Sequence, residues 1–220
     1  MGSNNLHHKR KARKAVSLQR QKAKRSAYDR ILIVSEGQKT EPNYFMELRD
    51  AFGLNPHNII IIGRGTDPLS VVKFALKEYR NNKDYNRLYC VFDKDQHTTY
   101  QAALDKIKST RLASGDTIHA ITSVPCFEFW LLLHFIYTVQ PFHATGKKSI
   151  CDQVIVKLKH KNRFPDYQKG DANLFEQIKD KLEKAKERAK RVRQHNQATG
   201  TDNPSTQVDE LVEYLQKLKK

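Results

Sequence analysis

Short apolar runs alternate along the chain with longer segments in which apolar residues recur every three or four positions. The short runs are rich in β-branched residues and bounded by turn-forming residues, which is typical of buried strands. They are ILIV (31–34), NIIIIG (58–63), RLYCVFD (87–93) and TIHAITS (117–123). The periodic segments between them predict helices over 40–53, 67–82 and 99–115. Strands alternating with helices predict an α/β fold, a Rossmann-like, mainly parallel sheet with flanking helices.

Polar residues at the segment ends predict where the helices begin. Thr40 and Asp67 are expected to cap the first two helices, and Gly53 to end the first. After residue 137 the alternation stops, and residues 172–196 predict one long basic helix. Residues 203–218 predict a terminal helix with Ser205 or Thr206 near its start. We therefore expect a basic tail (1–29), an α/β core (30–140) and a helical C-terminal region (141–220) packed on that core.

Charge points to a polyanionic partner. Forty lysines and arginines against 24 aspartates and glutamates give a formal charge of +16. Such an excess favours nucleic acid, because phosphates release counterions when basic side chains bind them. The tail is either a passive, solvated segment or a nucleic-acid-binding arm. The charged side of the 172–196 helix likewise faces either solvent or phosphates.

Apolar runs and cysteines bear on the compartment. No run approaches the roughly 20 apolar residues that cross a bilayer, and the N-terminus lacks the apolar stretch of a secretion signal. These patterns predict a cytoplasmic protein with no membrane partner. Cys90, Cys126 and Cys151 are odd in number and widely spaced, so we expect free thiols.

Acidic residues follow two of the predicted strands. Glu36 comes just after the first strand, and Asp93 and Asp95 end the third. In a parallel sheet functional groups gather at the carboxyl ends of the strands, and oxygen-only clusters suit Mg²⁺ or Mn²⁺. Taken singly, each acid is equally explained as a residue that caps a turn. Together, on successive strand-to-helix turns of a basic protein, they predict a metal site.

Several stretches carry a resemblance to known families. The E-G on the first strand and the D-x-D on a later one look like the Toprim pattern of topoisomerases, primases and OLD-family nucleases. VSEGQKTEPNYF, GTDPLSVV, VFDKDQH, SVPCFEFWLLLHF and NPST together resemble the RloB family, related to the abortive-infection protein AbiLii, over about residues 31–216.

The resemblance implies a Toprim-like domain and a nuclease effector of prokaryotic anti-phage defence, with an ATPase encoded nearby. By the motif match, Glu36 corresponds to the Toprim glutamate, and Asp93 and Asp95 to the aspartate pair. Further residues fall within RloB motifs: Glu41, His97 and Glu128. The chain departs from the family at Val124, where Asn is usual, so no role can be carried over to that side chain.

Two candidates lie in a strongly apolar stretch, PCFEFWLLLHF. A buried carboxylate without a partner would be costly or protonated, so Glu128 either pairs with a basic group or reaches the metal site. His134 is a core histidine or a catalytic base. His97, close behind the aspartates, is the better candidate for acid–base work.

Basic candidates for phosphate binding lie near the same strand ends. Lys39 and Lys94 either hold phosphate beside the metal or are ordinary surface lysines. Arg64 lies in GRGTDP, an anion-friendly turn before a helix. That turn lacks the GK[ST] of a P-loop, which argues against ATP hydrolysis.

The leading hypothesis is a Mg²⁺- or Mn²⁺-dependent nuclease that cuts RNA, with transfer RNA as a family-level expectation. The alternatives are a non-catalytic nucleic-acid-binding or adaptor subunit of an ATPase complex, and phosphotransfer to a nucleotide. Self-association as a homo-oligomer is left open.

Overall fold

A five-stranded sheet forms the centre of the molecule. The computed structural model describes residues 29–82, 84–94 and 97–218. The strands are β1 (Ile31–Ser35), β2 (Ile59–Gly63), β3 (Arg87–Asp93), β4 (Thr117–Val124) and β5 (Ser205–Thr206). Their order is β2-β1-β3-β4-β5, with β1 to β4 parallel and β5 antiparallel to β4. The predicted α/β class with a mainly parallel sheet is confirmed.

Helices flank the sheet and fill the C-terminal region. They are α1 (Thr40–Ala51), α2 (Pro68–Asn81), α3 (Tyr100–Ser109), α4 (Glu128–Leu133), α5 (Ile150–Leu158), α6 (Leu174–Ile178), α7 (Leu182–Thr199) and α8 (Val208–Leu218). No helix within the described ranges is long and apolar enough to cross a membrane.

Both faces of the sheet are covered. On one face Ile31 and Ile33 of β1 pack in a large core that includes α1 and the C-terminal helices. On the other face Leu32 and Val34 pack with α2 and α3. A strand buried on both faces needs no polar side, which explains the unbroken apolar run ILIV.

The two predicted helix caps have different outcomes. Asp67 caps α2 as predicted, since its Oδ1 accepts the backbone N–H groups of Leu69 and Ser70. The cap at Thr40 is wrong, because α1 already includes Thr40 and the preceding residue is Lys39. The Thr40 hydroxyl instead accepts the Gly170 N–H at 2.9 Å. The local pattern assigned the Thr40 hydroxyl to the helix cap, but this hydroxyl binds a residue that is distant in sequence.

The predicted continuous helix over 172–196 is also wrong. It is divided into α6, a 3₁₀ turn (Lys179–Lys181) and α7. α6 packs on α1, whereas α7 packs on α4 and α8. One straight helix does not serve both contacts, and the turn redirects the chain between them.

The terminal helix begins later than predicted, at Val208. Ser205 and Thr206 form β5 and pair with Val124 and Ser123. The Thr206 and Ser123 hydroxyls lie 3.1 Å apart. The edge of β4 draws these residues into the sheet, which the local sequence did not indicate. Of the predicted tail, residues 1–28 lie outside the described part of the chain, and the domain boundaries stay a prediction.

An ion pair anchors α8 to α7. Asp209 is fully buried, and its two oxygens accept from the Arg193 guanidinium at 2.5 and 2.7 Å. Arg193 also donates to the Thr206 carbonyl of β5 at 2.5 Å. The neighbouring Glu210 lies 3.5 Å from the same guanidinium and is half exposed.

We predict that Asp209→Ala lowers the free energy of unfolding by roughly 2–4 kcal/mol, because it leaves a partly buried guanidinium without its carboxylate. Glu210→Ala, the matched control at the adjacent position, should cost less than about 0.5 kcal/mol. Urea unfolding followed by circular dichroism measures both. Equal effects of the two substitutions would contradict the assigned role of Asp209.

Candidate active site

The candidate site lies where β1 and β3, neighbours in the sheet, reach their carboxyl ends. Glu36 follows the last residue of β1, and its N–H donates to the Val91 carbonyl at 2.9 Å. Its Oε2 accepts the Asp93 N–H at 3.1 Å. Parallel pairing therefore places the Glu36 carboxylate directly against the end of β3.

A third acid, Glu41, explains the glycine that follows Glu36. Glu41 lies buried in the first turn of α1. A Cβ built on Gly37 would lie 2.0 Å from Oε2 of Glu41. No side chain fits there without displacing that carboxylate. The E-G pair thus follows from packing an acid against the backbone of the turn.

Asp93 is held from the next strand. Its Oδ2 accepts the Phe127 N–H at 3.1 Å, shortly after the cis Val124–Pro125 peptide that follows β4. Burial, together with the negative charges of Glu41, Glu128 and Glu36, raises the pKa of Asp93 well above its ordinary value.

Glu128 forms the far wall, at the start of α4. Its Oε1 accepts the Tyr167 hydroxyl at 3.0 Å and lies 3.4 Å from the Lys169 ammonium. The sequence left open whether Glu128 pairs with a basic group or reaches the site. The structure shows the pairing with Lys169, and Glu128 also lines the cavity that contains Glu36 and Asp93.

These four acids share one cavity of about 440 Å³, which we call the carboxylate pocket. It is lined by Glu36, Gly37, Gln38, Lys39, Thr40, Glu41, Asp93, Cys126, Phe127, Glu128, Ser149, Cys151, Lys169 and Gly170. Burial, followed by the charges of Glu128 and Glu36, raises the pKa of Glu41 to about 7. The pocket therefore concentrates carboxyl groups whose charged forms repel one another.

His97 contacts the pocket from one side. Its Nε2 lies 2.7 Å from Oε1 of Glu36, and its side chain is partly exposed. Asp95, the second aspartate of the D-x-D, lies outside the described residues, as does Gln96.

Three other predicted residues are placed elsewhere. Lys94 pairs with Asp202, and the Arg64 guanidinium lies 4.0 Å from the centre of the Phe74 ring. His134 is buried, with Nδ1 3.0 Å from the Trp130 carbonyl oxygen, and burial lowers its pKa to about 3. None of the three lines the carboxylate pocket, and His134 fits its reading as a core histidine.

Lys169 is a charged residue of the pocket that the sequence analysis did not identify. It lies in the loop between α5 and α6, far along the chain from the strand ends. Two hydrogen bonds hold this loop against α1. The Gly170 N–H donates to the Thr40 hydroxyl, and the Asn43 side-chain amide donates to the Gly170 carbonyl at 3.1 Å. A lone lysine in a polar loop carries no local signal, and only the tertiary packing identifies it.

The expectation of three free thiols is wrong. Cys126 and Cys151 form a disulfide, and Cys90 is a free, buried thiol. Cys126 precedes α4 and Cys151 lies in the first turn of α5, which packs on α4. Spacing along the chain did not indicate the pair, because the folding of α5 onto α4 brings the two residues together.

The pocket's donors bear on whether it suits a metal ion. Glu36, Glu41, Asp93 and Glu128 offer hard oxygen donors, which Mg²⁺ and Mn²⁺ prefer, and their mutual repulsion would be relieved by a divalent cation. Within the described residues, one group of three potential ligands has its ligand atoms within 4.8 Å of one another, namely Cys126, Glu128 and Cys151, but two of its members are bonded to each other in a disulfide. Among the described residues Glu36 and Asp93 are not in such a group, so an ion at the strand ends would have to be held by few carboxylates and completed by water, as Mg²⁺ often is.

The fold and pocket define an α/β protein with an acidic cavity at the carboxyl edge of a parallel sheet. A family model described as RloB-like protein matches residues 31–215. The chain therefore belongs to the RloB-like family, which confirms the resemblance seen in its motifs. Comparison with curated proteins and with solved structures found no match.

We predict that the pocket makes stability depend on pH. The pKa of Glu41 is raised from 4.5 to about 7, so the folded state binds this proton more tightly than the unfolded state does. The contribution of protonated Glu41 to the free energy of unfolding is therefore fully present below pH 4.5 and is lost as pH rises to about 7.

Glu41→Gln should remove a loss of unfolding free energy on the order of 2–3 kcal/mol between pH 4.5 and pH 7. The stability of this variant should therefore change less with pH than that of the parent. Urea midpoints measured from pH 5 to pH 8 check it. Glu187→Gln, on an exposed position of α7, should leave the slope unchanged. If the stability of the Glu41 variant depended on pH as strongly as that of the parent, the raised pKa of Glu41 in the pocket would be refuted.

Proposed function

We propose that this protein is a divalent-metal-dependent phosphodiesterase that cuts nucleic acid, with RNA as its substrate. The observation that carries the proposal is the convergence of Glu36 and Asp93, from two adjacent strand ends, in one cavity with Glu41 and Glu128. The pKa values of Asp93 and Glu41 are raised by burial and by the neighbouring carboxylates, and groups with such perturbed pKa values cluster at functional sites.

Glu36 and Asp93 would hold the metal, together with Asp95. When bound, Mg²⁺ or Mn²⁺ would activate water and stabilise charge on the phosphoryl group in the transition state. The Phe127 N–H and the Asp93 N–H keep the two carboxylates in fixed orientations. Preorganised ligands of this kind need no rearrangement during reaction.

Lys169 would bind the substrate phosphate. Its ammonium is at the pocket wall and its side chain is 60% exposed, so it reaches both Glu128 and solvent. Glu128 would position that ammonium. His97, whose Nε2 lies 2.7 Å from Glu36, would move a proton to the leaving oxygen or from the attacking water. Lys39 lines the same cavity and would add positive charge at its mouth.

The charge of +16 supports a nucleic-acid substrate. On α7, however, Lys186 and Arg193 bind acceptors on α8, and Lys190 pairs with Glu213 there. These side chains serve packing, so the basic tail is the stronger candidate for holding the phosphate backbone. By family resemblance, the setting is the prokaryotic cytoplasm, where the protein would act with an ATPase as an abortive-infection toxin against phage.

A second function rests on a different observation. The Lys169 ammonium lies 3.4 Å from Glu128, so a basic side chain of the protein offsets part of the pocket's charge. A non-catalytic adaptor that binds nucleic acid or the ATPase would need only such internal compensation. The two functions differ in whether the pocket binds a divalent cation.

We expect Asp93→Asn to reduce RNA cleavage by roughly 100-fold or more, because it removes a metal-binding charge while preserving the shape of the side chain. Purified protein, with and without its ATPase, is incubated with transfer RNA or DNA and Mg²⁺ or Mn²⁺, and products are resolved on gels. Asp105→Asn, on the exposed face of α3, is the matched control. Parental cleavage by the Asp93 variant would exclude the assigned chemistry.

Calorimetric titration with Mn²⁺ separates the two functions. The phosphodiesterase should bind Mn²⁺, and Asp93→Asn should abolish that binding. An absence of binding to the folded parent protein would favour the adaptor. This readout needs neither the substrate nor the activating partner.

Lys169→Met should lower cleavage by about 10- to 100-fold, because a charge that faces the transferred phosphate is lost. Lys94→Met should change it less than about 2-fold, since Lys94 pairs with Asp202 away from the pocket lining. Cleavage rates at saturating metal compare the two variants. The reverse ranking would show that phosphate is held by the D-x-D turn instead.

A further inference from the structure

The disulfide lies in the wall of the carboxylate pocket. Cys126 and Cys151, 25 residues apart, both line the cavity beside Glu128 and Lys169. Both side chains are buried in the larger core, and the cavity that they line gives a small oxidant or reductant its route to the sulfur atoms. In the cytoplasmic setting proposed above, disulfides are rare, and those that form are commonly reversible.

The surroundings of Cys151 favour reaction. Its Sγ is 3.7 Å from the Lys169 ammonium and 3.2 Å from Oε2 of Glu128. In the reduced protein the thiol would donate to Glu128, which opposes ionisation, while the ammonium stabilises the thiolate that forms during reaction. Of these two neighbours, the Lys169 ammonium is therefore the one that favours reaction of Cys151.

Cys90 lacks each of these features. It is fully buried in β3, on the opposite face of the sheet. Burial raises the pKa of its thiol to about 12. The chain thus carries an unreactive thiol that serves as an internal reference.

We propose that Cys126 and Cys151 are a reversible, peroxide-sensitive redox pair, in which Cys151 reacts first and Cys126 completes the bond. The Cys151 thiolate attacks one oxygen of hydrogen peroxide, the O–O bond breaks, and the departing hydroxide takes a proton to become water. The Cys126 thiol then attacks the resulting sulfenic acid, forming the S–S bond and releasing the second water. The two thiols lose two electrons and the peroxide gains them. A small dithiol reverses the reaction by exchange and becomes a disulfide itself.

The oxidation state of the cysteine pair affects the carboxylate pocket through Glu128. A reduced Cys151 has a proton to donate to Oε2 of Glu128, whereas a disulfide sulfur has none. Glu128 in turn contacts Lys169. This consequence rests on the proposed phosphodiesterase function, in which Lys169 binds phosphate, whereas the redox chemistry of the pair depends only on the cytoplasmic setting.

Thiol counting on the intact, unmutated protein tests the pair. Folded protein is treated with dithiothreitol or with hydrogen peroxide, then denatured and alkylated, and labelled sites are located by mass spectrometry. All three cysteines should label after dithiothreitol, and only Cys90 after peroxide, with labelling of the pair restored by a second dithiothreitol treatment. Unbonded cysteines after peroxide, or a bond that dithiothreitol leaves intact in the folded protein, would overturn the proposal.

A dimedone probe, which labels sulfenic acids, tests the order of events. Cys126→Ser should accumulate label on Cys151 in peroxide, and Cys151→Ser should show little label on Cys126. In the Cys126→Ser background, Lys169→Met should slow labelling several-fold, and Lys169→Arg should largely restore it. Equal labelling of both single variants would remove Cys151 from its leading role. Because neither experiment uses RNA or metal, failure here is distinct from failure of the phosphodiesterase proposal.

Discussion

Repulsion among four acids at one edge of the sheet is the constraint on which the site depends. Asp93 and Glu41 have raised pKa values because they are buried and because neighbouring carboxylates face them. Such a cluster persists only where the surrounding fold is stable enough to hold it. The parallel pairing of β1 with β3, buried on both faces, supplies that stability, and the Phe127 N–H directs one of the acids inward.

The C-terminal region completes the pocket that the sheet begins. Its loop carries Lys169 to Glu128, and α5 carries Cys151 to Cys126. The cation and the disulfide therefore come from segments that the strand pattern does not include. A protein reduced to its parallel sheet and first helices would retain Glu36, Glu41 and Asp93 but lose the opposite wall. The two parts of the chain form one chemical unit, in which the acidic edge and its basic counterpart depend on each other.

The predictions that succeeded share a physical basis. Strands β1 to β4 and the cap at Asp67 follow from local rules of periodicity and turn chemistry. Local rules failed at Thr40, at the strand that Ser205 and Thr206 form just before the terminal helix, and across residues 172–196, because contacts distant in sequence outweighed the local preference there. The Thr40 hydroxyl binds the Gly170 loop, the Ser205–Thr206 pair fills an open sheet edge, and the basic helix divides because its parts pack on different partners.

For the site, sequence alone determined the fold class, the strand ends and the presence of Glu36 and Asp93 there, because these depend on residues close together along the chain. It also identified the family through its motifs. Tertiary structure alone decided that Glu41 requires Gly37 to be glycine, that Lys169 rather than Lys94 faces the pocket, and that two cysteines meet. Those facts depend on distances between residues that are remote in sequence. Such distances are set by how helices and loops pack, and the pattern of apolar and polar residues along one chain does not specify that packing.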